Sequence, residues 1–299
     1  MSKIVKRLLT FFVAIPLFIY LTWFCTFKNH FVLNCIVVAA VAVAAIEMHA
    51  LLSHKLAVQP RSLVVVLSTL VAAAGFICVL FGLPMEYSSF VFILSLFILL
   101  IFEIFRKSSE ENQFEQSIQR MTSSVFTILY SAFLLTFVQR IMCWQYAKEN
   151  LIVFLLMVFI CDSLAWLFGI TMGKNNRGFI KASPNKSLMG FIGGFIGSIA
   201  IGILAHMLMP EVFFGSYAKA VLLGFATAFA SILGDLTESV IKRSAGVKDS
   251  GNIIPGRGGL LDSIDSIVMA APIYVILAHF LYPLSKVSPI SCIAYKIRL

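Results

Sequence analysis

The stretch LIVFLLMVFICDSLAWLFGIT occupies residues 151–171 and contains one charged side chain, Asp162. An α-helix of this length spans about 30 Å, the thickness of the hydrocarbon core of a bilayer. The stretch is therefore predicted to cross a membrane. A carboxylate facing lipid would be costly, so we expect Asp162 to face the interior of a helix bundle, where it is a candidate functional residue.

Further apolar runs extend this pattern along the chain, which is 60% hydrophobic and 12% charged, with a mean hydropathy of +0.96. This composition excludes an ordinary soluble domain. We predict an all-α, polytopic integral membrane protein with about nine transmembrane helices. The predicted spans are 8–26, 31–52, 62–81, 87–105, 122–139, 151–171, 188–209, 217–236 and 265–284. Residues 1–150 are predicted to form a transmembrane scaffold of about five spans, and residues 151–299 a catalytic region of about four.

The distribution of Lys and Arg predicts the orientation. With the N-terminus in the cytoplasm, the inner segments hold 16 of the 23 Lys and Arg residues and the outer segments hold 7. Positively charged loops stay cytoplasmic, so this asymmetry favours a cytoplasmic N-terminus in the cell inner (plasma) membrane. The net charge of +9 suits anionic lipid head groups or phosphates, and no nucleic-acid partner is expected.

The five aspartates all lie after residue 161, and four of them fall in the stretch 231–266. The spacing of Asp235, Glu238, Ser239 and Lys242 places them on one face of a helix if the eighth span continues past the membrane edge. Asp262 and Asp265 form an i, i+3 pair at the start of the ninth span, where Asp262 could also serve as a cap. Carboxylates near basic residues suggest a Mg²⁺ site that includes substrate phosphates.

The loop between these two spans has the parts of a phosphate-binding site. It contains Arg243, Lys248, Asp249, Arg257 and several glycines, including Gly258 and Gly259. Glycines expose backbone N–H groups, and the following helix would point its N-terminus at the same place. A positively charged cytoplasmic loop with turn glycines is the alternative interpretation.

A second polar loop reads S-P-N-K-S over residues 183–187 and adds Ser183 and Lys186 as candidate phosphate contacts. The seventh span then begins with GxxxG pairs, which predict close helix packing within the bundle or in a homodimer. By contrast, Glu47 and Glu103 lie near the ends of their predicted spans and are interpreted as structural. The six cysteines show no metal-binding spacing and are interpreted as free thiols.

Residues 239–265 read SVIKRSAGVKDSGNIIPGRGGLLDSID. This sequence resembles the signature of the phosphatidate cytidylyltransferases (CDP-diacylglycerol synthases), which has S-x-x-K-R, then K-D, then P-G-H-G-G, then D-R-x-D. The resemblance extends to residues 234–239 (GDLTES), 183–187 and 162–166 (DSLAW), and so covers most of the chain. Three positions differ: Arg257 replaces the usual His, Ser263 the usual Arg, and Met189 a common Glu.

The resemblance implies that CTP and phosphatidic acid give CDP-diacylglycerol and pyrophosphate, with the lipid entering from the inner leaflet and CTP from the cytoplasm. It implies Mg²⁺, and a second cation as a further expectation, with Asp235 and Asp262 as ligands and Asp265, Asp249 and Asp162 as additional candidates. The implied catalytic residues are Asp235, Asp262, Asp249, Asp265, Lys242 and Arg243. The implied substrate- and phosphate-binding residues are Lys186, Ser183, Ser239, Lys248, Arg257, Gly258 and Gly259.

Three other functions remain open at this stage. A related CTP-dependent enzyme acting on another lipid phosphate or a lipid alcohol would share most of these residues. A catalytically weakened membrane paralogue is a second alternative, because of the three departures. A transporter would be expected to show inverted repeats and charges near the midplane of several spans, and the sequence has neither.

Overall fold

The computed structural model of the protein describes residues 16–106, 114–254 and 258–283. Eight helices in this part of the chain are long and apolar enough to cross a membrane. They are α1 (Phe27–Ser53), α2 (Arg61–Phe81), α3 (Glu86–Ile104), α4 (Ser117–Met142), α5 (Ala147–Thr171), α6 (Leu188–Leu208), α7 (Tyr217–Ala245) and α8 (Leu261–Leu281). Residues 16–24, the described part of the first predicted span, are also helical. The predicted all-α, polytopic membrane fold is confirmed.

Two helices depart from regular geometry. In α1, Lys28, Asn29 and His30 adopt left-handed backbone angles, with φ between 43° and 61°. Regular helix therefore begins near residue 31, where the predicted span begins. In α4, a π-helical turn covers Leu129–Phe133, between the α-helical segments Ser117–Ile128 and Thr136–Met142.

The largest difference from the predicted bounds is at the end of α7. The helix continues to Ala245, nine residues beyond the predicted end of the span, and stops at Gly246, whose φ of 77° is left-handed. Hydropathy does not detect this extension because its residues are mixed polar and apolar. The extension is nevertheless decisive for the site, because it carries Glu238, Ser239 and Lys242.

Close packing of α5, α6, α7 and α8 positions the polar residues. The glycines of α6 lie against neighbouring helices of the same chain: a Cβ at Gly193 would lie 2.8 Å from the carbonyl oxygen of Leu164 in α5. A Cβ at Gly224 of α7 would likewise lie 2.7 Å from the carbonyl oxygen of Ser198 in α6. The predicted glycine contacts therefore serve the bundle itself.

The two halves of the chain share a core. Leu33, Cys78 and Val138 of the first half belong to the same buried cluster as Ala270 and Tyr274 of α8. The predicted division at residue 150 into a scaffold and a catalytic region stays a prediction, but the two parts pack as one bundle.

Glu103 is structural, as expected. Its Oε1 accepts hydrogen bonds from Nε and Nη2 of Arg120, at 2.8 and 2.6 Å, and from the hydroxyl of Ser117. Its Oε2 accepts from the side-chain amide of Gln59. The buried charge is therefore paired and fully hydrogen-bonded, as a carboxylate in an apolar bundle must be.

Candidate functional site

Lys242 is paired with two carboxylates between α7 and α8. Because α7 is one helix through Ala245, Asp235, Glu238, Ser239 and Lys242 share one face, as the spacing predicts. Glu238 is fully buried, and its Oε2 lies 2.6 Å from Nζ of Lys242. The same Nζ lies 2.5 Å from Oδ1 of Asp262 in α8. One ammonium group thus joins the ends of the two helices.

Asp262 also organises the loop that precedes α8. Its Oδ2 accepts hydrogen bonds from the backbone N–H and the hydroxyl of Ser250, both at 2.8 Å, and from the backbone N–H of Gly259 at 2.7 Å. Gly258 adopts a φ of 112°, and a Cβ there would lie 2.6 Å from the same oxygen. Both carboxylate oxygens of Asp262 are therefore engaged by the protein.

A second group of carboxylates lies beside this pair. Asp265 is 8% exposed, and the backbone N–H of Ser266 donates to its Oδ1 at 2.6 Å. The charges of Asp235, Glu238 and Asp162 all act on the Asp265 carboxyl group. Acidic side chains from α5, α7 and α8 thus converge on one region.

Small residues where α7 packs against α8 and α5 allow these acidic side chains to lie close together. A Cβ at Gly234 would lie 3.1 Å from the Cα of Ser266, so α7 and α8 approach backbone to backbone just where Asp235 and Asp265 stand. The hydroxyl of Ser266 also reaches Oδ1 of Asp162 at 3.4 Å, as does that of Ser231. As predicted, Asp162 faces the interior of the bundle.

Lys186 brings the second predicted loop to the same site. It forms an ion pair with Oδ2 of Asp235, whose side chain is 39% exposed. The loop is shaped by a turn, in which the backbone N–H of Lys186 donates to the carbonyl of Ser183, and by Ser187, whose hydroxyl caps α6 at Gly190. The structure thus places Lys186 against the carboxylate group, with Ser183 in the turn that supports it.

The remaining predicted residues lie at the periphery. Arg243, Lys248 and Asp249 are exposed, Ser239 is half-buried, and the Arg243 guanidinium lies 3.5 Å from the carbonyl oxygen of Val247. Asp249 borders Gly258. Arg257 lies outside the described residues, so its predicted role is not tested.

The sequence indicated a structural role for Glu47 of α1 but did not indicate its partners. Glu47 is 4% exposed and accepts hydrogen bonds from the backbone N–H groups of Leu260 and Leu261, at 3.0 and 2.8 Å. The hydroxyl oxygen of Ser250 lies 3.2 Å from Oε2 of Glu47 and 2.8 Å from Oδ2 of Asp262. A carboxylate in the first half of the chain therefore binds the loop of the second half. The signal was available, because a carboxylate within an apolar run is a functional candidate.

The carboxylates of this region offer the kind of oxygen ligand that a divalent cation binds. Among residues 16–106, 114–254 and 258–283, no three or more His, Cys, Asp or Glu side chains are arranged to hold a metal ion by themselves. Mg²⁺ commonly takes one or two carboxylates and completes its coordination with substrate phosphates and water. Among the described residues, Oε1 of Glu238 is buried without a hydrogen-bond partner, and the charges of Glu238 and Asp235 act on Asp265, so carboxylate oxygens of the kind that Mg²⁺ prefers lie in one region. Asp262 as a direct ligand stays a prediction and would require it to release one of its present partners.

Two of the departures from the signature have structural context. The hydroxyl of Ser263 is buried and has no hydrogen-bond partner among the described residues. Met189 is half-buried in the first turn of α6, three residues after Lys186. Neither departure disturbs the carboxylate contacts described above.

Fold and site together define a polytopic membrane protein that gathers carboxylates and basic side chains where two membrane helices meet. A model of the cytidylyltransferase family matches residues 5–281, and the chain belongs to that family.

Curated relatives share part of the sequence. The chain is 40% identical to the phosphatidate cytidylyltransferase of Haemophilus influenzae over 121 residues, which are 40% of this chain and 42% of the relative. It is 38% identical to the phosphatidate cytidylyltransferase of Synechocystis over 126 residues, 42% of each chain. It is 47% identical to the chloroplastic phosphatidate cytidylyltransferase 4 of Arabidopsis thaliana over 113 residues, which are 37% of this chain and 27% of that protein. The matched segments thus span less than half the length of these relatives.

Proposed function

We propose that the protein transfers the cytidylyl group of CTP to phosphatidic acid, giving CDP-diacylglycerol and pyrophosphate. The observation that carries the proposal is the group of carboxylates bordered by Lys186 and Lys242 at the meeting of α7 and α8. This group lies in a chain of the cytidylyltransferase family with relatives named phosphatidate cytidylyltransferase.

In the proposed reaction, a phosphate oxygen of phosphatidic acid attacks the α-phosphorus of CTP. A new P–O bond forms to the lipid phosphate, the bond between the α- and β-phosphates breaks, and pyrophosphate leaves with the electron pair. The lipid phosphate is ionised at neutral pH, so no general base is required. The main obstacle is repulsion between two anionic substrates, which positively charged groups must offset.

Lys186 is suited to that task. It is 20% exposed at the side chain and paired with the partly exposed Asp235, so it can exchange this carboxylate for a substrate phosphate. Arg243 near the end of α7 and Lys248 in the loop between α7 and α8 are exposed and can contact the outer phosphates of the nucleotide. Lys242 is enclosed by Glu238 and Asp262, so its first role is to hold α7 and α8 together.

We propose that Asp235 and Asp265 hold Mg²⁺ together with the phosphates of the substrates. When bound, the ion supplies positive charge that neutralises the phosphates and the departing pyrophosphate. The Asp235 side chain is 39% exposed and its charge acts on the buried Asp265, which supports the assignment. A second cation and the other predicted ligands, Asp249 and Asp162, remain predictions.

The proposal places the reaction at the cytoplasmic face of the cell inner membrane. Phosphatidic acid would enter from the inner leaflet between helices, and CTP would enter from the aqueous side. The excess of Lys and Arg in the predicted inner segments supports this orientation. Homodimerisation stays a prediction, and the α6 glycines that suggested it contact α5 of the same chain.

The test is product analysis with purified protein, CTP, phosphatidic acid and Mg²⁺. We expect mass spectrometry to show CDP-diacylglycerol, and a chelator to abolish its formation. A liponucleotide formed only from a different lipid phosphate would favour the related enzyme. No liponucleotide from any phosphatidate would favour a weakened paralogue and contradict the proposal.

A further inference from the structure

Glu47 is a buried carboxylate to which the proposed reaction assigns no role. It lies in α1, is 4% exposed, and has no Lys or Arg within ion-pair distance among the described residues. Burial of an unpaired carboxylate is costly unless hydrogen bonds compensate it. Its hydrogen-bond partners must therefore compensate for the cost of its burial.

These partners all belong to the loop and helix start that carry Asp262. Oε1 of Glu47 accepts from the N–H of Leu260, and Oε2 accepts from the N–H of Leu261. These are the first backbone donors of α8, and Leu260, at the N-cap position, provides no side-chain cap. Glu47 thus caps α8 from a different helix, where a negative charge is also favoured by the helix dipole.

The loop is fitted closely around this carboxylate. A Cβ at Gly259 would lie 2.5 Å from Oε2 of Glu47, and a Cβ at Gly251 would lie 2.6 Å from Oε1. The absence of a side chain at Gly251 and Gly259 therefore leaves room for the Glu47 carboxylate beside the backbone of the loop.

A short chain of contacts leads from Glu47 to the site. The hydroxyl of Ser250 contacts Oε2 of Glu47 at 3.2 Å and Oδ2 of Asp262 at 2.8 Å. Asp262 in turn contacts Lys242. Displacement of Glu47 would release both the start of α8 and the loop that Asp262 organises.

We propose that Glu47 is a positioning residue for the transfer reaction: it fixes the loop between α7 and α8, and with it the side chains that face the substrates. This role rests on the proposed function. Glu47 itself does not need to touch either substrate. It lies 203 positions before Ser250 and links the first half of the chain to the site.

The test compares Glu47→Gln and Glu47→Ala with Glu103→Gln. Glu103 is the matched control, because it is equally buried in the first half of the chain but binds Arg120. Displacement of reacting groups by about 1 Å costs on the order of 10²-fold in rate. We expect kcat to fall about 100-fold in Glu47→Ala and about 10-fold in Glu47→Gln, which retains one acceptor oxygen, with little change in the KM for CTP. Glu103→Gln should lower the melting temperature and leave kcat nearly unchanged.

Amide hydrogen exchange provides a readout that does not depend on activity. In Glu47→Gln, exchange over residues 258–263 should become faster, whereas in Glu103→Gln it should stay as in the wild-type protein. If Glu47→Ala does not fold, Glu47→Gln and Ser250→Ala test the same connection, and the double variant should lose less activity than the sum of the single effects.

A kcat in Glu47→Gln equal to that of the wild-type protein, additive effects with Ser250→Ala, or unchanged exchange in the loop would each overturn the proposal. Failure of the proposed function would look different, because the wild-type protein itself would form no liponucleotide. The exchange measurement would in that case still decide whether Glu47 holds the loop.

Discussion

Lys242 and Asp262 are joined by a 2.5 Å contact between Nζ and Oδ1, and this contact connects the end of α7 to the start of α8. Lys242 also binds the fully buried Glu238. One cation therefore stabilises two acidic side chains at the place where the polar loop leaves the bundle. This arrangement makes the residue structurally important before any substrate arrives.

Lys242→Met should be strongly destabilising. The change leaves Glu238 and Asp262 buried without their shared cation, and removal of one partner of a buried ion pair typically costs about 3–5 kcal/mol. Thermal unfolding in detergent measures the effect, with Lys248→Met as the control because Lys248 is exposed in the same loop. Equal melting temperatures for the two variants would contradict the structural role given to Lys242.

Asp235→Asn should abolish turnover while the protein still folds and inserts. The side chain is partly exposed and has Lys186 as its ion-pair partner, so its loss should remove little stability but should remove the proposed Mg²⁺ contact. Asp262→Asn should also abolish turnover, with a lower melting temperature, since Asp262 binds four donors across the loop and α7. Near-normal transfer of CTP into lipid by either variant would contradict the assignment, and Glu86→Gln, at an exposed position, is the control.

Gly259→Ala should lower kcat in the same way as a change of Glu47. The added methyl group would lie 2.5 Å from Oε2 of Glu47 and closer still to the hydroxyl of Ser250, so these side chains or the loop must move. Gly82→Ala is a useful comparison, because Gly82 has a φ of 64° but no atom within 4 Å of the added Cβ. It should therefore cost only about 1 kcal/mol of stability, through its backbone conformation, without a loss of kcat. Full activity in Gly259→Ala would show that the loop tolerates displacement.

Ser263→Arg, which restores the residue common in the signature, should be tolerated or should raise activity. The serine hydroxyl is buried and has no hydrogen-bond partner in the described part of the chain, so its removal costs little, and a guanidinium would add positive charge beside the carboxylates. Steady-state kinetics with CTP provides the measurement. Inactivation would mean that the site has been rebuilt around the serine.

The sequence predicted the helical membrane fold and most of the residues that meet at the site. Hydropathy located the spans, and helical spacing placed Asp235, Glu238 and Lys242 on one face, since both depend on local sequence. The role of Glu47 was not predicted, because its partners are backbone N–H groups more than 200 positions away, which leave no pattern of residue types. The same rule that marked Asp162 as functional applied to Glu47, but its place near the end of a predicted span favoured a structural interpretation.

The neighbour of the loop glycines was likewise not predictable from the sequence. The glycines of the loop between α7 and α8, Gly259 among them, were interpreted from the sequence as part of a phosphate-binding site, and a close approach is present at Gly251 and Gly259. What the sequence could not indicate is the partner, since a Gly-rich loop fits a phosphate and a buried carboxylate equally well. In the structure Glu47 is that neighbour.

The most direct test of the central claim follows the phosphorus atoms of CTP. Purified protein is incubated with phosphatidic acid, Mg²⁺ and CTP labelled at either the α- or the γ-phosphate. We expect the α-label to enter the lipid fraction and the γ-label to be released as pyrophosphate. Transfer of the γ-label to lipid would indicate a CTP-dependent kinase, and retention of both labels in CTP would indicate no transfer at all; either result would contradict the account.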